Sequence, residues 1–365
     1  MGFQREMDSL EAHLFAKDGD EVERHFGLFS ADKKPQLPKC WLKHITGAQT
    51  LGACYGGSGN ADTLPPEPDV VALYRTYGIG NMRIYSPYPE ILQALRDSNI
   101  QLIVGVPNDS LQELANTSSA SNWVQVNIKS YSSNVNFKYI AVGNEVNPND
   151  PAAHFVLPAL QNIYKEIFSA GLQNQIKVST SVDTNILGVF DPPSAAAFSE
   201  SAKGFIEPII RFLVSNGSPL LVNIYPYFRV KFNGQSVPYG LFTDTKAVVQ
   251  DNGLEYRNLF DALMDAMYSA MEKINGGSLE IVVSESGWPS AGGEVETVEN
   301  AGTYYRNLIE HVKGGTPKRP LKAIETYLFS IFDENKKREE IERHFGLFYP
   351  NKHLKYNLSF NQLRR

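Results

Sequence analysis

Two glutamates stand where apolar runs give way to loop-forming residues, and their placement suits acid–base chemistry. Glu145 ends Lys138-Tyr-Ile-Ala-Val-Gly-Asn-Glu145, and Glu285 lies in Glu280-Ile-Val-Val-Ser-Glu285-Ser-Gly-Trp-Pro289. A β-branched run that finishes in a carboxylate and then turns predicts a barrel strand delivering that acid to its C-terminal rim. Two such deliveries from separate strands can supply the paired carboxylates that glycosidic bond hydrolysis requires. One glutamate so placed reads as a solvated strand end. The pair, flanked by Asn144 and Trp288, points to catalysis.

Elements able to position the pair recur from about residue 49. Strand-like runs fall at Thr50–Tyr55, Asn81–Tyr85, Gln101–Val106, Tyr139–Val146, Ile176–Val182, Leu220–Tyr225, Leu279–Ser284 and Ala323–Phe332. Helical patterns lie between them at Pro68–Tyr77, Pro89–Asp97, Ala120–Ser132, Val156–Ala170, Ala202–Asn216, Tyr256–Ile274 and Ala301–Val312. Strand–helix alternation means parallel βαβ units, and eight of them close a (β/α)8 TIM barrel. An open doubly wound sheet is the competing fold. The glycines of Cys54-Tyr-Gly-Gly-Ser-Gly59 are not followed promptly by a helix, so they suit a rim loop better than a phosphate cradle. Pleat alternation predicts Glu145, Gly143 and Ala141 toward the barrel mouth, with Val142 and Ile140 against the helix layer.

The 365-residue length accommodates one such barrel, and 42% apolar with 20% charged residues is a globular composition. A net charge of -6 argues against a nucleic-acid partner, and no apolar stretch is long enough to span a membrane. The 18 Tyr, 20 Phe and 3 Trp offer the aromatic surface that a neutral polysaccharide partner needs. Two cysteines, Cys40 and Cys54, support neither a disulfide framework nor a zinc site. Cys54 reads as a small buried thiol. Triplets for N-glycosylation begin at Asn108, Asn116, Asn216 and Asn357, a weak pointer to secretion, whereas Met1–Asp8 lacks the apolar run of a secretory signal.

The first 48 residues carry an internal repeat. Glu21-Val-Glu-Arg-His-Phe-Gly-Leu-Phe29 nearly copies Glu340-Ile-Glu-Arg-His-Phe-Gly-Leu-Phe348, and Leu10–Phe15 matches Ile324–Phe329. This copy of a last strand has no counterpart to Phe332-Asp-Glu-Asn335 and no barrel of its own. Residues 1–48 are therefore expected to be a repeat-derived, poorly ordered extension, 49–360 the catalytic barrel and 361–365 a tail. A regulatory extension is the alternative.

With these motifs in view, the chain resembles the plant glucan endo-1,3-β-glucosidases of glycoside hydrolase family 17. The resemblance rests on Gly52-Ala-Cys-Tyr-Gly56, Asn81-Met-Arg-Ile-Tyr85, Tyr139-Ile-Ala-Val-Gly-Asn-Glu145, Leu221-Val-Asn-Ile-Tyr-Pro-Tyr227, Val283-Ser-Glu-Ser-Gly-Trp-Pro-Ser290 and Phe332-Asp-Glu-Asn335. It implies endo-hydrolysis of 1,3-β-glucan with retention, Glu145 as proton donor and Glu285 as nucleophile. It also implies an extracellular or wall location. A retaining pair is expected about 5–5.5 Å apart. The chemistry needs no metal or organic cofactor, and a monomer acting on a polysaccharide is expected. Non-hydrolytic glucan binding and mixed-linkage or transglycosylating activity are the alternatives.

Around the pair, Asn144 is expected to bond a sugar hydroxyl or to cap the strand end, and Tyr225 to orient Glu285. Tyr55, Tyr227, Phe228, Trp288 and Phe332 are candidate rim aromatics for stacking on sugar faces, with a core role as the competitor. Arg83 and Glu334 are read as polar groups at the substrate, supported by Glu325 and Lys337. Structural ion pairing competes for all four.

Overall fold

The computed structural model describes residues 51–360. The expected extension, the 361–365 tail and Cys40 lie outside the described residues. Eight parallel strands close a barrel: β1 (Leu51–Tyr55), β2 (Asn81–Ile84), β3 (Gln101–Val106), β4 (Asn136–Asn144), β5 (Lys177–Asp183), β6 (Leu220–Asn223), β7 (Ile281–Ser286) and β8 (Thr326–Leu328). Each pairs with its neighbours in sequence, and β8 returns to β1 through Leu51↔Thr326, Gly52↔Tyr327 and Ala53↔Leu328. The chain is a (β/α)8 barrel.

The outer layer contains α1 (Glu67–Tyr77), α2 (Pro89–Ala94), α3 (Thr117–Val124), α4 (Ala153–Ser169), α5 (Glu200–Asn216), α6 (Leu259–Glu272) and α7 (Val298–His311). Their starts follow capping chemistry, in which a side-chain oxygen accepts from a backbone N–H left free in the first turn. Asn116, Ser199, Asn258 and Thr297 cap α3, α5, α6 and α7 in this way. Gly78 and Gly217 end α1 and α5 in the left-handed conformation, which costs glycine little.

The expected elements are in place, but several boundaries differ. Tyr256 belongs to a hairpin, Val249–Asp251 with Leu254–Tyr256, and the helix begins only at its Asn258 cap. Beyond Val124 the third helix widens into a π turn over Gln125–Lys129. After β6, Pro226 opens a helix over Pro226–Asn233, so Tyr225 sits between strand and helix. The last strand keeps only Thr326–Leu328, because the chain then leaves the ring to cover the barrel mouth.

Two apolar layers hold the barrel. One lies between strands and helices and includes Ile140 and Val142; the other fills the lumen with Cys54, Ile103, Tyr139, Ala141, Leu221, Val282 and Tyr327. These lumen residues come from alternate positions of different strands, as the pleat demands. Cys54 is fully buried and free. Above this layer the lumen turns polar, with Arg83, Ser181, Asn223 and Ser284 all buried. No described helix is long and apolar enough to cross a membrane.

The two carboxylate-bearing strands both break register just before the acid. β4 shifts against β5 between Ala141 and Asn144, and β7 shifts against β6 between Val283 and Glu285. Bulges of this kind re-aim side chains at strand ends. At β4 the bulge overturns the simple alternation. Gly143 has φ 79°, and a Cβ there would face Val146, Leu111 and Asn108 on the helix side, not the lumen. Glu145 itself takes φ 50°, an uncommon backbone for a non-glycine residue and one found at functional sites.

Candidate active site

Glu285, one residue before the end of β7, is held by one ion pair and two hydrogen bonds. Arg83 from β2 lies 2.9 Å from Oε1, the Tyr85 hydroxyl donates to Oε1 at 2.7 Å, and the Tyr225 hydroxyl donates to Oε2 at 2.8 Å. The residue is 6% exposed, so these partners replace most of the water around its carboxylate. Glu145 follows β4, and its Oε1 accepts from Asn223 Nδ2 at 2.8 Å. Both glutamates line one groove cavity of about 390 Å³, together with Gly56, Tyr88, Asn144, Tyr225, Phe228, Phe329, Glu334, Lys337, Glu342 and Phe345.

The two carboxylates are electrically unequal. Crowding by protein atoms pushes the Glu145 carboxyl up to about 7, helped by the charges of Glu285 and Asp183 and opposed by Asn223 and Arg83. Glu145 remains open to the groove, so water screens part of this push until a ligand fills the site. Glu285 instead meets a guanidinium directly. One carboxyl is thus placed to hold a proton near neutrality beside another bound to a cation, which is the division that acid–base chemistry uses.

Asn144 points into the lumen, where its Oδ1 accepts from Arg83 Nη2 at 2.7 Å and from Asn223 Nδ2 at 3.1 Å. Its backbone is clamped by Asn108, which accepts from the Asn144 N–H and donates to its carbonyl. Tyr225 makes the contact to Glu285 expected of it, with its ring 5.2 Å from that of Phe228. Phe228 is 38% exposed and lines the groove. Glu334 lies in the same groove 3.5 Å from Lys337 Nζ, and burial raises its pKa. Gly56 is required opposite it, since a Cβ would run into the Glu334 carboxylate.

Four of the expected rim aromatics are core residues. Trp288 is fully buried, with Nε1 donating to Val295 O at 2.9 Å. Tyr227 packs edge-on against it, 5.3 Å away, and donates to Glu296. Tyr55 is 1% exposed with Glu67 facing its hydroxyl, and Phe332 packs beside Phe348. Trp288 is enclosed by Tyr227 and by Tyr304 of α7, whereas Phe332 and Tyr227 are covered by the chain that follows β8, through Phe348 and Phe345. That chain folds back over the mouth, Leu347 N bonding Ser330 O and Phe348 N bonding Ile331 O, and roofs what would otherwise be rim.

Glu325 also lies away from the groove. It precedes β8, so parallel strand direction puts it at the opposite end of the barrel. There it accepts from Lys138 at 2.8 Å, Tyr327 at 2.9 Å and Tyr139 at 3.1 Å, plugging the barrel floor.

Sequence reasoning missed Tyr85, Tyr88, Asn108, Asp183, Asn223, Phe329, Glu342 and Phe345 as site residues. Tyr85 and Asn223 carried a usable signal, since Tyr85 ends its strand-like run and Asn223 lies near the end of the Leu220–Tyr225 run, where barrel sites are built. Phe345 and Glu342 come from the returning chain; they lie in the repeated Glu340–Phe348 segment, but the repeat says nothing of where that segment folds.

The chain matches the family model for glycosyl hydrolases family 17 over residues 51–360. It is 56% identical over 322 residues to a glucan endo-1,3-beta-glucosidase of Vitis vinifera, covering 86% of this chain and 93% of the relative. A basic vacuolar isoform from Nicotiana plumbaginifolia is 51% identical, with 87% of each chain covered. Among solved structures, a beta-1,3-glucanase and allergen of Cryptomeria japonica pollen superposes with a TM-score of 0.82 at 44% identity, covering 86% of this chain and 99% of that one. A structure from work on two plant beta-glucan endohydrolases with distinct substrate specificities gives 0.81, also at 44% identity, covering 84% and 99%. This chain belongs to glycosyl hydrolases family 17.

Proposed function

We propose that this glycoside hydrolase cleaves internal 1,3-β-D-glucosidic linkages of 1,3-β-glucans, callose or fungal wall glucan, with retention of configuration. The observation that carries the reading is one groove lined by two carboxyls in contrasting environments, Glu285 against Arg83 and Glu145 pushed up to about 7. Glu285 attacks the anomeric carbon while the C–O bond pair passes to the leaving oxygen, which takes the Glu145 proton. The resulting ester removes the charge of Glu285. Glu145 then ionises more easily and draws a proton from the water that cleaves the ester. The mechanism needs the carboxyls about 5–5.5 Å apart, and a measured separation near 9 Å would exclude retention. Asn144, Arg83, Tyr225, Phe228 and Glu334 are assigned to the substrate or the reacting carboxylates, with Lys337 supporting Glu334.

The test is a product assay on linear 1,3-glucan and on mixed-linkage glucan, with the first-formed anomer read by NMR. Internal cleavage of the linear polymer giving the β-anomer is expected. An α-anomer, or no hydrolysis, overturns the reading. A preference for mixed-linkage glucan would favour the second activity, which the substrate difference between two related endohydrolases makes worth measuring.

We assign the reaction to residues 49–360, and a chain beginning at Gln49 should retain full activity. A single chain supplies both glutamates, so a monomer suffices. The relatives are plant glucanases, one of them a vacuolar isoform. We place the work of this chain in defence outside the cytosol, at the wall or in the vacuole.

A further inference from the structure

The buried asparagine at the end of β6 joins the surroundings of the two carboxyls, and no sequence motif assigns it a role. Asn223 is 1% exposed, and every hydrogen-bonding position of its amide is filled. Its Oδ1 accepts from Arg83 Nη1 at 2.9 Å, Ser284 Oγ at 2.8 Å and Ser181 Oγ at 3.1 Å. Its Nδ2 donates to Asn144 Oδ1 at 3.1 Å and to Glu145 Oε1 at 2.8 Å.

The orientation of this amide is not arbitrary. A guanidinium has no acceptor, so the atom facing Arg83 must be the oxygen, and the NH2 must face Glu145. Arg83 is itself locked by Glu285, the Ser284 carbonyl and Asn144. An amide nitrogen can only donate. Whatever the protonation state of Glu145, its Oε1 must therefore accept. When Glu145 is protonated, the carbonyl oxygen is the better acceptor of the two, so the Asn223 N–H at Oε1 favours the proton on Oε2.

We infer that Asn223 is a positioning residue that loads the Glu145 proton onto Oε2, the oxygen left to meet the glycosidic oxygen. This rests on the reading of Glu145 as the acid. Ser181 Oγ and Ser284 Oγ also lie 2.9 Å apart, so their two hydrogens are shared between Asn223 Oδ1 and each other, and this cluster is the floor on which the amide stands. Without the Asn223 donor, the proton divides between two oxygens, only one of which points at the bond to be broken.

The consequence depends on the leaving group. Departure of a sugar hydroxyl needs the proton, whereas departure of a dinitrophenolate does not. Asn223→Ala should lower kcat on linear 1,3-glucan tenfold or more, with KM within threefold of the native value. It should lower the first-turnover burst from a dinitrophenyl glycoside of a 1,3-linked disaccharide less than threefold. Asn223→Asp preserves the shape and the acceptor toward Arg83 but replaces the N–H with a second oxygen. It should show the same split, which keeps the test sound where Asn223→Ala fails to fold.

Glu145→Gln in the same assays separates the role of Glu145 from that of Asn223. If Glu145→Gln does not discriminate between the substrates, Glu145 is not the acid. If it does discriminate while both Asn223 variants lose the two activities equally, Asn223 is merely structural and the inference fails. Native rates on both substrates for either folded Asn223 variant would overturn it as well.

Discussion

The three polar partners of Glu285, one cation and two hydroxyls, are unevenly shared between its oxygens, and the inequality can be measured. Oε1 receives both Arg83 and Tyr85, whereas Oε2 receives only Tyr225. A hydrogen bond to a charged group contributes about 1.5–3 kcal/mol when its loss leaves the charge unsatisfied. Tyr225→Phe strips Oε2 of its donor inside a buried site. If that loss falls fully on the transition state, kcat/KM drops about 10- to 150-fold. Tyr85→Phe leaves Oε1 with its ion pair, so the loss is closer to that of an ordinary bond, about 1 kcal/mol or about fivefold. Both variants keep the ring, including the Tyr225 contacts with Phe228 and Phe345 at 5.2 and 5.9 Å. The assay is reducing-end release from a 1,3-linked oligosaccharide, with thermal midpoints to confirm folding. A larger loss for Tyr85→Phe than for Tyr225→Phe, with both proteins folded, would refute this division of partners between the two oxygens.

The Glu145 carboxyl at about 7 sets the alkaline side of the activity profile. The acid form is needed in the first step, so kcat/KM should fall about tenfold for each pH unit above that value, and a flat profile to pH 9 would count against Glu145. Azide should accelerate turnover of an activated glycoside by Glu145→Ala and give a β-glycosyl azide, an outcome that an α-product would contradict. Asp265 sits buried on α6, where burial raises its carboxyl from 3.8 to about 6. Its protonated form favours the folded state, so this contribution is complete below pH 3.8 and is lost as pH rises through 6. Stability relative to Asp265→Asn should decline by about 2–3 kcal/mol between pH 3 and pH 8, measured by urea unfolding. Trp288→Ala should cost about 3–5 kcal/mol of stability, while Phe228→Ala should change it by under about 0.5 kcal/mol and raise KM. The opposite ranking would return Trp288 to the groove.

Much of this protein was legible in one dimension. The strand period and the spacing of eight runs are local properties of the chain, and they point to the barrel; the helix starts at the Asn116, Ser199, Asn258 and Thr297 caps are local too but were not read from the sequence. Strand direction alone then carries Glu145 and Glu285 to the same rim, because parallel strands present all their C-terminal ends together. The same rule, applied to Glu325, places it on the floor, since it precedes its strand. What tertiary structure alone decided is which polar and aromatic groups reach the groove. Bulges at Gly143 and Ser284 change which side chains face inward, and they arise from register against neighbouring strands, which no single segment contains. The chain returning after β8 buries Phe332 and brings Phe345 and Glu342 to the site, although nothing near them in sequence signals it. Asn223 gains its meaning only where Arg83, Asn144, Glu145, Ser181 and Ser284 converge from four other strands. The orientation of its amide is set by donors up to 140 residues away, because hydrogen-bond polarity is a property of the assembled network.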